Sequence, residues 1–257
     1  MLAVDWSQPW LDAVTALRGS VVTRDPIADL NRCAAERRLT TATGRPIEFV
    51  APNDAPEGRA YEAHIAATGH VPTRLNRHDL FNALVWLAFP RTKARLNALQ
   101  AAAIASDGVG GRRGALRDAA TLFDENGALL ITADPTLPAL LRERRWKTAF
   151  VDRRGDWDTV HVLVFGHALM DKLVAPYKAI TAHALVVGLP ADAPPAEVDA
   201  ALASRFDRSF DTSALVPLPV LGVPGWSANA DPIYYDDATV FRPARAGRRT
   251  PEEYSTP

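Results

Sequence analysis

Three short stretches carry the side chains able to do chemistry. In RHDLFNALVW, residues 77–86, an imidazole and a carboxylate stand together at the head of an apolar run. On a helix His78 and Asn82 fall at i, i+4 and Asp79 and Asn82 at i, i+3, with Trp86 continuing the line. A polar stripe on an otherwise apolar helix faces either a cleft or a buried polar network. The doublet also has a plainer reading, in which Asp79 caps the helix start and His78 merely bonds to it.

The second stretch, RDAATLFDENG at 117–127, sets Arg117 beside Asp118 and Asp124 beside Glu125. Neighbouring carboxylates can divide acid and base roles or hold a hard cation. Asp-Glu-Asn-Gly is also ordinary turn chemistry, and a turn role is the expectation for Asp124. In the third, VFGHALMDK at 164–172, Gly166 delivers His167 at the end of an apolar strand and the start of a helix, a place where functional groups are often presented. A helix start lowers an imidazole's pKa and leaves it a neutral base or ligand near pH 7. The alternative is a satisfied structural histidine. Lys172 and Tyr177 follow within three turns. His64, His70, His161 and His183 lack such neighbours and read as structural or exposed.

The elements that must position these groups follow from periodicity and punctuation. A first helix is expected from Ser7 and Pro9 to Arg18, a second from Asp25-Pro26, a strand over 46–52, and a third helix over 57–67 capped by Gly69. The run from Asn76 to Phe89 is apolar nearly all round, which predicts a buried central helix. Pro90 then opens another. SDGVGGRRG at 106–114 reads as a flexible connector, since it lacks the order of a phosphate-binding loop. The alternation on both sides of Asn126-Gly127 predicts a β-hairpin over 121–131, a short helix before Asp124 being the alternative. Strands are expected over 159–165 and 180–187, and helices over TLPALLRERRW, from His167, and over PPAEVDAALASRF. The Pro-, Gly- and aromatic-rich stretch after Val216 should pack as irregular loop. The fold expected is α+β: one mostly helical domain over 1–241 with a small mixed sheet formed by the 46–52, 121–131, 159–165 and 180–187 segments, then a disordered tail over 242–257.

Composition narrows the function classes. The chain of 257 residues has 29 basic and 30 acidic side chains and a formal charge of −1, so no overall field recruits nucleic acid or an anionic membrane. A single cysteine, Cys33, excludes an internal disulfide and cysteine-based zinc clusters and fits a reducing cytoplasm. The first residues lack the basic start of a signal peptide, and no run has the length of a membrane span. Gly-x-Ser-x-Gly, His-Glu-x-x-His and Gly-x-Gly-x-x-Gly are all absent. The His-Asp doublet of metal-dependent phosphohydrolases would need His64 and Asp118 or Asp124 in an all-helical bundle, and the strands argue against that.

Taken together, VPTRLNRHDLFNALVWLAFPRTKARLNALQ, RDAATLFDENGALL, VFGHALMDKLVAPY and LGVPGW followed by an Asn resemble the bacterial domain of unknown function 3025 family, from about Trp10 to Arg242. The resemblance implies kinship and no particular reaction. The family's pattern carries Glu where this chain has Asp171, one methylene shorter.

The expectation is that His78, Asp79, Glu125 and His167 converge in one cleft as catalytic groups, with Arg74, Asn82, Trp86, Arg117, Asp118 and Lys172 binding substrate. The reading is a cytoplasmic hydrolase of a small polar substrate, with a histidine as base and a carboxylate to orient it. Its metal-assisted form places a divalent ion on His78, Asp79, Glu125 and His167. The alternative is a non-catalytic module binding a ligand or protein through Trp86, Trp226 and nearby arginines. A small-molecule partner is expected and a membrane is not. Nucleic-acid binding through Arg112, Arg113 and Arg117 or Arg142, Arg144 and Arg145 is disfavoured, because acidic residues balance these clusters. Oligomeric state stays open.

Overall fold

The chain begins with tight turns rather than the expected helix to Arg18: a 3-10 turn at Pro9–Leu11 leads into α1 (Asp12–Thr15). There follow α2 (Pro26–Glu36), β1 (Glu48–Val50), α3 (Tyr61–Thr68), β2 (His70–Pro72), α4 (Arg77–Ala88), α5 (Pro90–Asp107) and α6 (Ala115–Asn126). Next come β3 (Gly127–Ile131), α7 (Thr136–Arg142), β4 (His161–Val164), α8 (His167–Lys172), β5 (Thr181–Val187), α9 (Pro195–Ser204) and β6 (Val216–Pro219). This computed structural model describes residues 4–52, 60–107 and 114–243. The expected disordered tail lies outside them from residue 244, as does most of the glycine-rich connector. The fold is α+β, and among the described residues no helix is long and apolar enough to cross a membrane.

Asn76, in extended conformation, accepts a hydrogen bond from the Asp79 backbone N–H at 2.8 Å and so starts α4. Asn76, and not Asp79, is therefore the cap. Every residue from Asp79 to Leu87 is buried, as an all-round apolar helix requires. The helix stops at Phe89 because Pro90 has no N–H to continue it, and the same proline opens α5. The first turn of α5 is capped from outside. The buried Asp199 carboxylate of α9 accepts from the backbone N–H groups of Arg91 and Thr92 at 2.9 and 3.0 Å and from the Thr92 hydroxyl at 2.7 Å. Gly69 ends α3 in the left-handed region at φ +81°, where a Cβ would meet the Pro46 carbonyl oxygen at 2.0 Å.

The main sheet has the order β4-β3-β5-β6, with β3 antiparallel to β4 and parallel to β5, and β6 antiparallel to β5. Three expectations change here. The 46–52 strand does not join this sheet; β1 pairs with β2 in a separate parallel ribbon. The proline-rich stretch contributes β6, because Pro217 and Pro219 stand at alternate positions of an edge strand and withhold donors only on the side where no described strand pairs. The hairpin over 121–131 does not form. Ala119, Ala120 and Phe123 bury one face of α6, which runs through Asp124 and Glu125 to Asn126, and β3 begins at once.

Candidate active site

The cleft lies among α3, α4, α5, α6 and α8 and has a volume of about 770 Å³. Three side chains from three elements meet in its wall. His78 comes from the first turn of α4, Glu125 from the last turn of α6 and His167 from the first residue of α8. One nitrogen of each imidazole and one oxygen of Glu125 lie within 4.8 Å of one another. The two rings meet edge to face with centroids 4.5 Å apart, and His167 Nε2 is 3.4 Å from Glu125 Oε2.

Local folding explains the convergence. Gly166 joins β4 to α8 directly against the end of α6: its N–H donates to the Gly127 carbonyl at 2.8 Å, and a Cβ there would meet the Glu125 carbonyl oxygen and the Gly127 nitrogen, each at 2.5 Å. Only glycine allows that approach. Arg77 of α4 pairs with Asp171 of α8, so the shorter carboxylate still ties together the helices that carry the two histidines.

Beneath the three groups lies a buried charge network. Lys93 of α5 donates to Asp124 Oδ1 at 2.6 Å and to Asn82 Oδ1 at 2.9 Å, and Asn82 donates onward to the Tyr61 hydroxyl at 3.1 Å. The expected turn role of Asp124 is thus replaced by one half of a buried ion pair. Burial opposes the Asp124 charge, yet the attraction of Lys93, followed by His167, holds its pKa below the usual carboxylate value. His167 is brought down to about 4, by burial first, with Lys93 and His78 adding to the effect and Asp124 opposing it. Its neutrality therefore owes more to desolvation than to the helix start. Its Nδ1 is sealed from solvent without a well-formed hydrogen bond among the described residues. Burial and the Asp124 charge raise Glu125.

The other expected site residues divide. Asp79 lines the cleft but lies outside the histidine-glutamate group, because the Arg74 guanidinium binds it at 2.9 and 3.0 Å and the Arg74 N–H at 2.8 Å. Arg74, Asn82 and Arg117 line the cleft. Trp86 is 1% exposed and sits inside the core, 5.5 Å from Lys93 Nζ, so it offers no recognition surface. Trp226 lies in a different hollow, with Trp6 and Trp157. Asp118 is exposed and Lys172 bonds the Asn126 side chain at 2.7 Å; neither is among the cleft-lining residues.

The sequence reading missed Lys93 and two polar neighbours on α5, Asn97 and Gln100. All three are buried, and their i, i+4, i+7 spacing is a helical stripe that could have been seen. Asn97 donates to Glu62 Oε2 at 2.6 Å, and burial raises the pKa of Glu62. No curated protein and no solved structure matches the chain. Residues 47–245, most of its length, match the family described as "Protein of unknown function (DUF3025)", and the chain belongs to that family.

Proposed function

We propose that the cleft is the active site of a metal-dependent hydrolase acting on a small polar substrate, with His78, Glu125 and His167 as the protein ligands of a divalent ion. The observation carrying this reading is the meeting of two imidazoles and a carboxylate from three separate elements at the wall of a cleft. Two nitrogens and one carboxylate suit zinc, manganese or iron and leave positions open for water and substrate. Ligands about 2.1 Å from a tetrahedral ion lie roughly 3.4 Å apart, a spacing His167 and Glu125 already have, and the His78 nitrogen lies within 4.8 Å of both. Asp79, expected as a fourth ligand, is left out because Arg74 holds it.

A bound ion would lower the pKa of a coordinated water and polarise the bond under attack. The chain's own residues do the rest. His167, neutral down to about pH 4, keeps its lone pair available at physiological pH. The Lys93–Asp124 pair fixes the last turn of α6, and with it Glu125. Glu62, raised by burial, lines the same cleft and is suited to take and return a proton.

The test is calorimetric titration of the purified, metal-stripped chain with Zn²⁺ and Mn²⁺, together with His78→Ala and His167→Ala variants and a panel of esters, amides and phosphoesters. One equivalent should bind, each variant should weaken binding about a hundredfold, and hydrolysis should need the ion. Stoichiometric binding without turnover would favour a ligand-binding module. No binding at all would defeat the metal reading.

A further inference from the structure

Two arginines line the cleft, and they are not equivalent. Arg74 is bound by Asp79 through two side-chain hydrogen bonds. Arg117, half-buried on α6, has no hydrogen bond or ion pair with any described residue. Elsewhere around the site, Arg77 is bound to Asp171, Lys93 to Asp124 and Lys172 to Asn126. Among the described residues Arg117 is thus the uncommitted guanidinium of the cleft.

Its position is set by the helix. Arg117, Thr121, Asp124 and Glu125 fall at i, i+4, i+7 and i+8, one face of α6, and all four line the cleft. At 1.5 Å per residue Arg117 stands about 12 Å along the axis from Glu125. Between them Thr121 spends its hydroxyl on Gln100 Oε1 at 3.2 Å and leaves a neutral wall. The acids of the cleft are occupied as well: Arg74 holds Asp79, Lys93 holds Asp124, Glu62 is shifted toward its neutral form, and Glu125 faces the two histidines. A planar, permanently charged guanidinium in that setting matches a carboxylate or phosphate two-pronged.

We propose that Arg117 anchors the substrate and that the substrate is a small elongated molecule ending in an oxyanion, carboxylate or phosphate, held two helical turns from the bond that reacts. This rests on the reading of His78, Glu125 and His167 as the reacting end. The anchor fixes reach: a compact anion satisfies one end of the cleft, and a longer one satisfies both.

The experiment is calorimetry of the zinc-loaded full chain with straight dicarboxylates from malonate to sebacate, in which one carboxylate can meet the ion and the other Arg117. A parallel series of ω-phosphonocarboxylates separates a phosphate preference from a carboxylate one. Suberate or sebacate should bind about tenfold more tightly than malonate, Arg117→Gln should abolish that gain while leaving zinc affinity unchanged, and Arg117→Lys should restore part of it. Zinc bound normally with no dependence on chain length, or a length dependence that survives Arg117→Gln, overturns the proposal. If zinc does not bind, the function proposed above fails, and inorganic phosphate titrated into the metal-free chain reads the anchor alone. Weaker binding to Arg117→Gln than to the wild type then supports the anchor, and equal binding overturns it.

Discussion

Lys93 carries more of the site's architecture than its neighbours suggest. It stands between Arg91 and Arg95, a charge run that reads as solvated surface, yet its side chain is 5% exposed and shared between Asp124 and Asn82. Removing one partner of a buried pair strands the other charge, so Lys93→Met should cost about 3–5 kcal/mol in urea unfolding, and Asp124→Asn on that background should recover most of it. A single-variant cost below about 1 kcal/mol would mean that the pair behaves like a surface one. Glu62 gives a pH-dependent counterpart. Desolvation first, then the Asp124 charge and more weakly that of Glu125, raise its pKa, while Lys93 and the Asn97 hydrogen bond oppose the rise. A carboxyl raised in the folded chain binds its proton more tightly there. The associated stability is present below the unfolded value of 4.5 and is lost as pH climbs through the raised value. Glu62→Gln, which keeps an acceptor for Asn97, should therefore raise the melting temperature at pH 8 and lose that advantage near pH 4. An equal gain at both pH values would show that ionisation is not the cause.

At the scale of elements, two junctions deliver the site. The start of α4 near Asn76 and the Pro90 break were legible, because each is a local signal, although the capping side chain is Asn76 where the sequence offered Asp79. The α6–β3 junction was not. Asn126-Gly127 flanked by alternating residues has the pattern of a hairpin, and what overrides it is burial of Phe123 on a helical face, with Gly127 extended at φ −76° and packed on Phe123. That misreading placed Glu125 on a loop, when it occupies the last turn of a helix and is held more rigidly. Gly166 makes the complementary junction. A methyl group at Gly166→Ala would press on the backbone of Glu125 and Gly127, so α8 must shift and carry His167 away from Glu125. The variant should stay folded by far-ultraviolet circular dichroism, melt several degrees lower, and bind zinc at least about tenfold more weakly. Wild-type zinc affinity in a folded Gly166→Ala chain would mean that α8 accommodates the methyl without moving the ring.

For the whole molecule, the layout is a buried helix and a short mixed sheet whose ends bring distant segments together. His78 and His167 are nearly ninety positions apart, and the sequence marked both because each stands where an apolar element begins or ends. Their meeting depends on tertiary packing of α4 on α8, and the Arg77–Asp171 pair that fastens it cannot be read from either stretch alone. The same holds for Asp199, which caps α5 from 107 residues away and so orients Lys93. Trp86, Asp118 and Lys172 fell outside the cleft because tertiary packing seals Trp86 in the core, leaves Asp118 facing solvent and ties Lys172 to the Asn126 side chain. X-ray absorption spectroscopy on zinc-loaded protein tests the histidine-glutamate centre at its root. The scattering should require two imidazoles and at least one oxygen in the first shell, one imidazole being lost in His78→Ala. A spectrum fitted with no imidazole or a single one in the wild type would mean that the two rings are neighbours without a shared ion.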